Sequence, residues 1–313
     1  MSGKKPAILK PDAGGIARAV DLLREGKLVA LPTETVYGLA ARADHPNAVA
    51  EIYRAKGRPD FNPLIVHVAS VAMAKRLARL DGRAEELARK YWPGPLTLVL
   101  PLRDDAGIAP AVSAGLSTIA LRQPAHPVAA AVLSALDLPI AAPSANRSNA
   151  LSPTSAAHVL SSLGEDSPAI LDGGDAEAGL ESTIVALRES GEWSLLRPGP
   201  ITAEELENTL GPELKLRGAT IEAPGQLKKH YSPGKPVMLN CHEPTEDAFM
   251  IGFGSVRGDA TLSPTGDLAE AAARLYACLH EAAASDKAQI CVAPIPKEGM
   301  GRAINDRLKR AAA

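Results

Sequence analysis

Short apolar runs alternate with helical patterns along the first two thirds of the chain. Ile16, Val20 and Leu23 recur at helical spacing after Asp12, which is a suitable N-cap residue. The apolar run at residues 27–31 follows this helix and is closed by a proline, so it predicts a short buried strand. The first two elements are therefore a helix and a strand.

The same alternation continues as far as residue 210. We predict strands at 64–69, 96–100, 118–121, 139–142, 169–171, 182–187 and 193–196, and helices at 47–55, 127–136 and 154–163. So many strands with fewer helices indicate an α/β sheet that is not a simple doubly wound repeat. Residues 1–210 are expected to form one domain.

A change of pattern separates this domain from a second one. Residues 211–236 carry repeated Gly, Pro and Lys without clear periodicity, which is typical of a linker. Residues 237–313 then show three strand patterns, a long alanine-rich helix and a final helix near the C-terminus. This order predicts a small, three-layer, Rossmann-like α/β domain. It lacks a Gly-x-Gly-x-x-Gly turn after a strand, so no dinucleotide site is predicted.

Composition narrows the function classes. The 313 residues are 46% hydrophobic and 22% charged, with a formal charge of −2, so no global basic field favours nucleic acid. Cys241, Cys278 and Cys291 lack the paired spacing of a zinc site or a disulfide framework and are expected to be ordinary buried thiols. No run of about 18 apolar residues and no signal-peptide pattern occurs. We expect a cytoplasmic protein without a membrane segment.

Polar side chains follow several of the predicted strands. Residues 32–39, Pro-Thr-Glu-Thr-Val-Tyr-Gly-Leu, come directly after the first strand, where α/β proteins place a ligand crevice. The same residues also suit an ordinary strand-to-helix turn. Residues 56–59, Lys-Gly-Arg-Pro, place two cations around a glycine, which suits a triphosphate or a solvated basic turn. His67 lies in an apolar strand and by itself is typical of a core histidine.

Later strands end in similar polar groups. Arg122 ends a strand and suits a carboxylate ligand or a position on the surface. The small polar side chains of residues 142–154 suit phosphate or ribose, or a capped turn. Ser182 and Arg197 lie at strand edges, and a His-Tyr pair at 230–231 lies in the linker, where loops often carry function. Without a nucleophile elbow, a Walker A loop or a His-Glu-x-x-His helix, these patterns favour a nucleotide- or anion-binding α/β protein.

The combination of motifs resembles the YrdC-like family. The motifs are Leu-Pro-Thr-Glu-Thr-Val-Tyr-Gly-Leu at 31–39, Lys-Gly-Arg-Pro at 56–59, Asn-Pro-Leu-Ile-Val-His at 62–67, Ser-Ala-Asn at 144–146, Ser-Pro-Thr at 152–154 and Arg-Pro-Gly at 197–199. His-Tyr-Ser-Pro at 230–233 and Gly-Arg-Ala-Ile-Asn-Asp-Arg at 301–307 are similar to the longer, two-domain form of the family. One departure is Ser148-Asn149, where the family often has Ser-Gly. Asn tolerates left-handed backbone angles better than most residues, so the turn can survive this change.

This resemblance implies a fold and an activity. The expected fold is a twisted mixed-sheet domain at 1–210, a linker at 211–236 that covers the pocket as a lid, and a Rossmann-like domain at 237–313. The implied enzyme, a nucleotidyltransferase, joins L-threonine, bicarbonate and ATP, with Mg²⁺ on the phosphates, into threonylcarbamoyl-AMP and pyrophosphate. A partner transferase complex then moves the threonylcarbamoyl group to the tRNA adenosine beside the anticodon.

The resemblance also assigns residues. Those implied for threonine are Thr35, His67, Arg122 and Ser182. Those implied for ATP are Lys56, Arg58, Asn62, Thr118, Ser144, Asn146, Ser152, Arg197 and Tyr231. Lys56 and Arg58 are expected to offset phosphate charge, no side chain is assigned as a general base, and no protein side chain is expected to bind the metal.

Two alternatives remain. A non-catalytic RNA- or ribosome-binding module could use the same concave surface, although the negative net charge and scarce aromatics disfavour it. A carbamoyl-adenylate-forming enzyme that acts on carbamoyl phosphate would be expected to carry acylphosphatase and zinc-finger segments, which are not found in this sequence.

Overall fold

The computed structural model describes residues 6–59, 61–214, 222–224, 230–243 and 246–313. Within these ranges the chain forms two sheets with helices packed against them. The strands are β1 (Ile8–Leu9), β2 (Val29–Leu31), β3 (Gly38–Arg42), β4 (Ile65–His67), β5 (Leu96–Pro101), β6 (Thr118–Arg122), β7 (Ile140–Ala141), β8 (Ala169–Leu171), β9 (Thr183–Leu187), β10 (Trp193–Arg197), β11 (Val237–Leu239), β12 (Ala248–Gly252), β13 (Ala260–Thr261) and β14 (Gln289–Val292).

The helices in the same ranges are α1 (Ala13–Arg24), α2 (Pro46–Lys56), α3 (Val71–Leu77), α4 (Gly82–Tyr91), α5 (Pro110–Ser113), α6 (Pro127–Leu136), α7 (Ala156–Leu163), α8 (Ala203–Leu210), α9 (Leu268–Ala284) and α10 (Met300–Ala311). Asp12 caps α1 as predicted, because its side chain accepts a hydrogen bond from the Gly15 backbone N–H at 2.9 Å. None of the described helices is both long and apolar enough to cross a membrane.

The larger sheet has ten strands in the order β1-β8-β2-β3-β7-β4-β6-β5-β9-β10. Parallel pairs such as β4–β6 alternate with antiparallel pairs such as β5–β6, which confirms the expected mixed sheet. The smaller sheet, β11-β14-β12-β13, is parallel throughout and is covered by α9 and α10, as expected of a Rossmann-like domain.

Strand β3 was not predicted. We considered a strand-to-helix turn after residue 31, but residues 32–37 instead connect β2 to the antiparallel β3. The sequence of β3 is Gly-Leu-Ala-Ala-Arg, and Gly and Ala favour strands only weakly, so the pattern carried little signal. Because β3 pairs antiparallel with β2, the polar loop at residues 32–37 lies at the end of the sheet.

The two sheets share part of one apolar core. Val36, Leu151 and Leu180 of the first domain pack in the same cluster as the buried side chains of α9, α10 and the small sheet. Cys278 and Cys291 lie in this core, as predicted, whereas Cys241 is only half-buried. The predicted boundaries after residues 210 and 236 stay predictions, because residues 215–221 and 225–229 of the linker lie outside the described residues.

Candidate active site

One cavity collects polar side chains from the ends of several strands of the large sheet. The cavity is partly open to solvent, and its empty volume of about 540 Å³ includes some of this open space. Its polar lining residues are Thr33, Thr35, Arg58, His67, Arg122, Ser144, Glu181, Ser182, Arg197, His230 and Tyr231. Eight of the thirteen residues implied by the resemblance therefore lie on the wall of this cavity.

The remaining five implied residues lie off the wall. Lys56 is buried, and its Nζ donates to the backbone oxygens of Ser144 and Asn146, both at 2.5 Å. The Lys56 side chain thus holds the loop that carries Ser144 into the cavity. Burial, with the nearby charge of Arg58, lowers the pKa of Lys56 well below its ordinary value.

Asn62, Asn146 and Ser152 are buried close behind the lining, whereas Thr118 is more distant. Thr118 begins β6 and Arg122 ends it, so four residues, or roughly 13 Å along a strand, separate them. Thr118 therefore lies at the opposite end of its strand from the cavity residue Arg122. Its contact with nucleotide stays a prediction.

Arg122 presents one side of its guanidinium to the cavity. Its Nε donates to the Gly94 carbonyl at 3.2 Å, Nη1 donates to Thr35 Oγ1 at 2.8 Å, and Nη2 donates to Glu34 Oε1 at 2.6 Å. A guanidinium has five N–H groups, so one on each terminal nitrogen remains for a ligand. Two such donors match the geometry of a carboxylate.

Glu34 is buried beside Arg122 and was not predicted as a site residue. Burial works to raise the pKa of the Glu34 carboxyl, but the charge and hydrogen bond of Arg122 outweigh it and lower that pKa. The other carboxylate oxygen accepts from the Ala125 backbone N–H at 3.1 Å. Glu34 therefore fixes the orientation of the arginine rather than offering a free negative charge to a ligand.

His67 lies next to Arg122, because the two residues are register partners at the ends of β4 and β6. Burial, together with the Arg122 charge, lowers the pKa of His67 to about 3. The imidazole is therefore neutral at ordinary pH.

Two further guanidinium groups, those of Arg58 and Arg197, line the cavity. Arg58 Nη2 donates to the Pro63 carbonyl at 3.0 Å, and burial lowers the pKa of Arg58 to about 10. Arg197 Nε and Nη2 donate to Ser182 O and Oγ at 3.0 and 3.1 Å. The charge of Arg197 is one of those that lower the pKa of Arg58, so the two cations lie close enough to repel each other. An anion between them would relieve this repulsion.

Close packing around residue 199 explains why a glycine follows Arg197 and Pro198. A Cβ at this position would lie 2.4 Å from the Thr183 backbone nitrogen and 2.8 Å from the Ser182 carbonyl carbon. Only glycine allows this close approach. The Arg-Pro-Gly motif therefore presses directly against the start of β9, where Ser182 reaches the cavity.

The described parts of the linker also contribute to the cavity. Pro224, His230 and Tyr231 all lie on its wall. Tyr231 is 1% exposed and has a left-handed backbone with φ of 64°, which is uncommon for a residue other than glycine. Such strained backbone is often found at functional sites. Residues 215–221 and 225–229 of the predicted lid lie outside the described residues.

Several buried polar atoms around the cavity have no hydrogen-bond partner within the described residues. These atoms are Asn62 Oδ1, His67 Nδ1, His230 Nδ1 and the Tyr231 hydroxyl. Buried polar groups are nearly always hydrogen-bonded in native proteins, so a cluster of exceptions around one cavity indicates a polar ligand. Three of the four belong to residues that the sequence motifs singled out for ligand binding.

Glu181 is the second acidic residue that sequence reasoning missed, and the C-terminal residues that hold it were missed as well. Glu181 is 5% exposed and receives hydrogen bonds from Ser152, Tyr276 and Arg307. The available signal was its place directly before Ser182. Nothing in the local sequence of Tyr276 links it to a site 95 residues away.

Comparison with known proteins is consistent with this geometry. The family model for Sua5, YciO and YrdC, described as Telomere recombination, matches residues 21–199. A second model, described as the C-terminal domain of threonylcarbamoyl-AMP synthase, matches residues 201–313. The chain belongs to the Sua5/YrdC family. The resemblance inferred from the motifs is thereby confirmed.

Relatives cover both domains of this Sua5/YrdC family member. The threonylcarbamoyl-AMP synthase of Pyrococcus abyssi is 39% identical over 94% of this chain and 92% of that protein. The enzyme of the same name from Bacillus subtilis is 38% identical over 95% and 92%. The crystal structure of P. abyssi Sua5 complexed with L-threonine superposes with a TM-score of 0.89, at 36% identity, over 99% of this chain and 98% of that one.

Proposed function

We propose that this protein is a threonylcarbamoyl-AMP synthase and that the cavity is its active site. The observation that carries this proposal is the meeting of Arg122, Arg58 and Arg197 in one cavity whose buried polar atoms lack partners. The substrates would be L-threonine, bicarbonate and ATP. Relatives that match nearly the full chain carry the name of this enzyme, which favours catalysis over a non-catalytic RNA- or ribosome-binding module.

Threonine would occupy the side of the cavity formed by Arg122, Thr35, His67 and Ser182. The two free N–H groups of Arg122 would bind its carboxylate, and the neutral His67 and the hydroxyls would bind its polar atoms. A structure of the related P. abyssi protein was determined with L-threonine, which supports the presence of an amino-acid site.

ATP would occupy the side formed by Arg58, Arg197, Ser144 and Tyr231. Arg58 and Arg197 would offset the charge of the phosphates. Lys56 would act from behind by holding the loop that carries Ser144, through its two 2.5 Å hydrogen bonds. The assignments of Asn62, Asn146, Ser152 and Thr118 to ATP remain predictions.

The chemistry needs positioning and charge neutralisation more than a covalent nucleophile. The unprotonated threonine amine forms a bond to the carbon of bicarbonate or of CO₂ derived from it. One amine proton and the hydroxyl group of bicarbonate leave together as water, which yields the carbamate. A carbamate oxygen then forms a bond to the α-phosphorus of ATP. The bond between the α-phosphorus and the bridging oxygen breaks, and pyrophosphate leaves with the electron pair. Because AMP is transferred to the carbamate, the enzyme is a nucleotidyltransferase.

Mg²⁺ would be held by the phosphates of ATP. The described residues contain no group of three His, Cys, Asp or Glu side chains arranged to hold a metal ion. The two acids at the cavity, Glu34 and Glu181, are both paired with arginines. On this proposal the metal arrives on its substrate, where it would neutralise phosphate charge. Arg58 and Arg197 would share that role from the protein side.

The carbamate and the acyl adenylate are both prone to hydrolysis, so the active site must exclude water. Pro224, His230 and Tyr231 of the linker would serve this purpose by closing one wall of the cavity. The product would pass to a transferase complex that modifies tRNA next to the anticodon. This partner, any transient contact with tRNA and a cytoplasmic location are predictions from the sequence.

The test is pyrophosphate release from ATP with Mg²⁺, with threonine and bicarbonate omitted in turn. We expect release to require both co-substrates and to fall strongly in Arg58→Ala, because one of the two phosphate-facing cations is lost. Arg54→Ala is a matched control, since Arg54 lies in the same region but is largely exposed. Release that is indifferent to threonine, or no release from the wild-type protein, would contradict the proposal.

A further inference from the structure

A buried ionic network reaches the cavity from the C-terminal domain. Arg307 of α10 donates from Nε to Glu181 Oε2 at 2.8 Å. The hydroxyl of Tyr276 on α9 lies 2.9 and 3.1 Å from the two Glu181 oxygens. The Arg307 side chain is fully buried and that of Glu181 is 7% exposed. The two buried opposite charges therefore pair across the two domains.

Glu181 connects this network to residues proposed to bind nucleotide. Ser152 Oγ donates to Glu181 Oε1 at 2.5 Å, and Glu181 itself lines the cavity. The charged or titratable groups that face it are Arg197, Arg307, Tyr231, Tyr276 and His230. Burial works to raise the pKa of Glu181, but the charges of Arg307 and Arg197 and the hydrogen bond from Ser152 lower it to about 2.

Arg307 also touches two other parts of the active site. Its Nη1 donates to the Pro198 carbonyl at 2.9 Å, next to Arg197, and to Asp306 Oδ2 at 3.0 Å. Its guanidinium carbon lies 5.5 Å from the centre of the Tyr231 ring, within the range of a cation–π contact. The Tyr276 ring also lies near Tyr231, with the two ring centres 5.7 Å apart.

The backbone before Glu181 is pressed against the same domain. A Cβ at Gly179 would lie 2.3 Å from the Ala273 carbonyl oxygen of α9, and Gly179 has a φ of +63°. Leu180 is fully buried in the core of the C-terminal domain. Segment 179–181 is therefore located by α9 and α10, although it belongs to the catalytic domain.

We propose that Arg307 and Tyr276 are positioning residues for the ATP side of the active site. They hold the Glu181 carboxylate so that it orients Ser152 and faces Arg197. Arg307 also contacts the Tyr231 ring through its guanidinium. The C-terminal domain is then part of the catalytic apparatus and not only a cover over it. This inference rests on the proposed function, because the assignment of Ser152, Arg197 and Tyr231 to ATP belongs to that proposal.

The proposal predicts that ATP binding is weakened more than threonine binding. Ser182 Oγ is held by Thr97 at 2.7 Å and by Arg197, and it has no hydrogen bond to Glu181 among the described contacts. Loss of Arg307 or Tyr276 should therefore weaken ATP binding more than threonine binding. A general loss of folding would instead weaken both to the same extent.

The experiment compares the full-length wild-type protein with Tyr276→Phe, Arg307→Met and Arg307→Lys. Tyr276→Phe removes only a hydroxyl and is the variant most certain to fold. Arg302→Met is the matched control, because Arg302 lies exposed on the same helix. Four quantities are measured: the melting temperature, ATP binding by equilibrium dialysis, KM for ATP and for threonine in pyrophosphate release, and the pH dependence of kcat/KM for ATP.

We expect the affinity for ATP to fall on the order of tenfold in Tyr276→Phe, the effect of one hydrogen bond to a charged group. The fall should be larger in Arg307→Met and partly reversed in Arg307→Lys, which keeps the charge but not the separate Nε and Nη1 donors. Without the Arg307 charge the pKa of Glu181 rises, so kcat/KM for ATP should fall more steeply on acidification in Arg307→Met than in the wild type.

Either of two results would overturn the inference: wild-type ATP affinity with an unchanged pH profile in Tyr276→Phe and Arg307→Met, or equal losses for ATP and threonine that follow the melting temperature. Failure of the proposed function is distinguishable. Wild-type protein that binds ATP but releases no pyrophosphate with threonine would refute the synthase, while dialysis would still decide the role of the network.

Discussion

Replacement of Arg122 separates its structural role from its proposed role in binding threonine. Arg122 and Glu34 form a buried ion pair at 2.6 Å, with side chains 4% and 11% exposed. Arg122→Met leaves the Glu34 carboxylate buried with backbone N–H groups, such as that of Ala125, in place of a cation. Breaking a buried pair in this way costs about 3–5 kcal/mol in the free energy of unfolding. A large decrease in stability is therefore expected from the single variant.

The same change removes the two N–H groups proposed for the substrate carboxylate. A hydrogen bond to a charged group contributes about 1.5–3 kcal/mol, so the loss of one such bond raises KM for threonine roughly 10- to 150-fold, and the loss of both should raise it further. The double variant Arg122→Met/Glu34→Gln removes both charges. It should recover most of the stability, because no unpaired charge stays buried, and it should not recover threonine binding.

Stability is measured by urea unfolding, and KM for threonine and for ATP by pyrophosphate release, with the other substrates saturating. KM for ATP serves as the internal control and should change little. If the double variant regained both stability and the wild-type KM for threonine, Arg122 would act only as the structural partner of Glu34, and the proposed carboxylate site would be wrong.

Three further predictions concern pH, the C-terminal part of the chain and one turn. Burial lowers the pKa of His67 and of His230 to about 3, and at His67 the charge of Arg122 adds to this effect. A histidine in the unfolded chain has a pKa of about 6.5, so as the pH falls the unfolded chain binds protons before the folded protein does. The stability that these neutral histidines contribute is complete above about pH 6.5 and is lost toward pH 3. At pH 5 the free energy of unfolding should be lower by about 2 kcal/mol per histidine. A urea midpoint that does not fall between about pH 7.5 and pH 5 would contradict this. Truncation after Leu210 should lower turnover strongly, because it removes a wall of the cavity and the partners of Glu181; a truncated chain with full turnover would refute that. Asn149 has a left-handed backbone with φ of 67°. Asn149→Gly should therefore leave the free energy of unfolding nearly unchanged, whereas Asn149→Val should lower it by about 1–2 kcal/mol. Equal unfolding midpoints for the two variants would show that the turn adapts.

The turn at Asn149 adopts the left-handed backbone that the sequence allows at this position. The family often has glycine at this point, and the observed φ is one that Asn tolerates better than most residues. The backbone carbonyl of Asn149 also accepts a hydrogen bond from Ser232 N at 2.7 Å, so this turn meets the end of the linker.

Periodicity predicted the longer elements well. The helix after Asp12 and the strand at Leu96–Pro101 follow their hydrophobic patterns closely. It failed for β3, where Gly38 and the alanines that follow give no strand signal. That strand forms because its backbone pairs with β2 and β7, and such pairing depends on residues distant in the chain.

The motifs predicted which positions form the site, but not which contacts each side chain makes there. Lys56 was expected to face phosphate and instead holds two backbone carbonyls of the loop at 144–146. Glu34 lies in a motif and was still overlooked, because a carboxylate has no evident use in an anion site until its arginine partner is known.

By itself, the sequence determined the family, the two-domain order and most of the residues on the wall of the cavity, because short motifs at strand ends are local and keep their spacing. Only the tertiary structure decided the partners of the buried charges. Glu181 and Arg307 are 126 residues apart, and neither has a local signal for the other. Their pairing follows from the requirement that a buried charge have an opposite charge nearby, and the packing of α10 against the catalytic domain brings the two residues together.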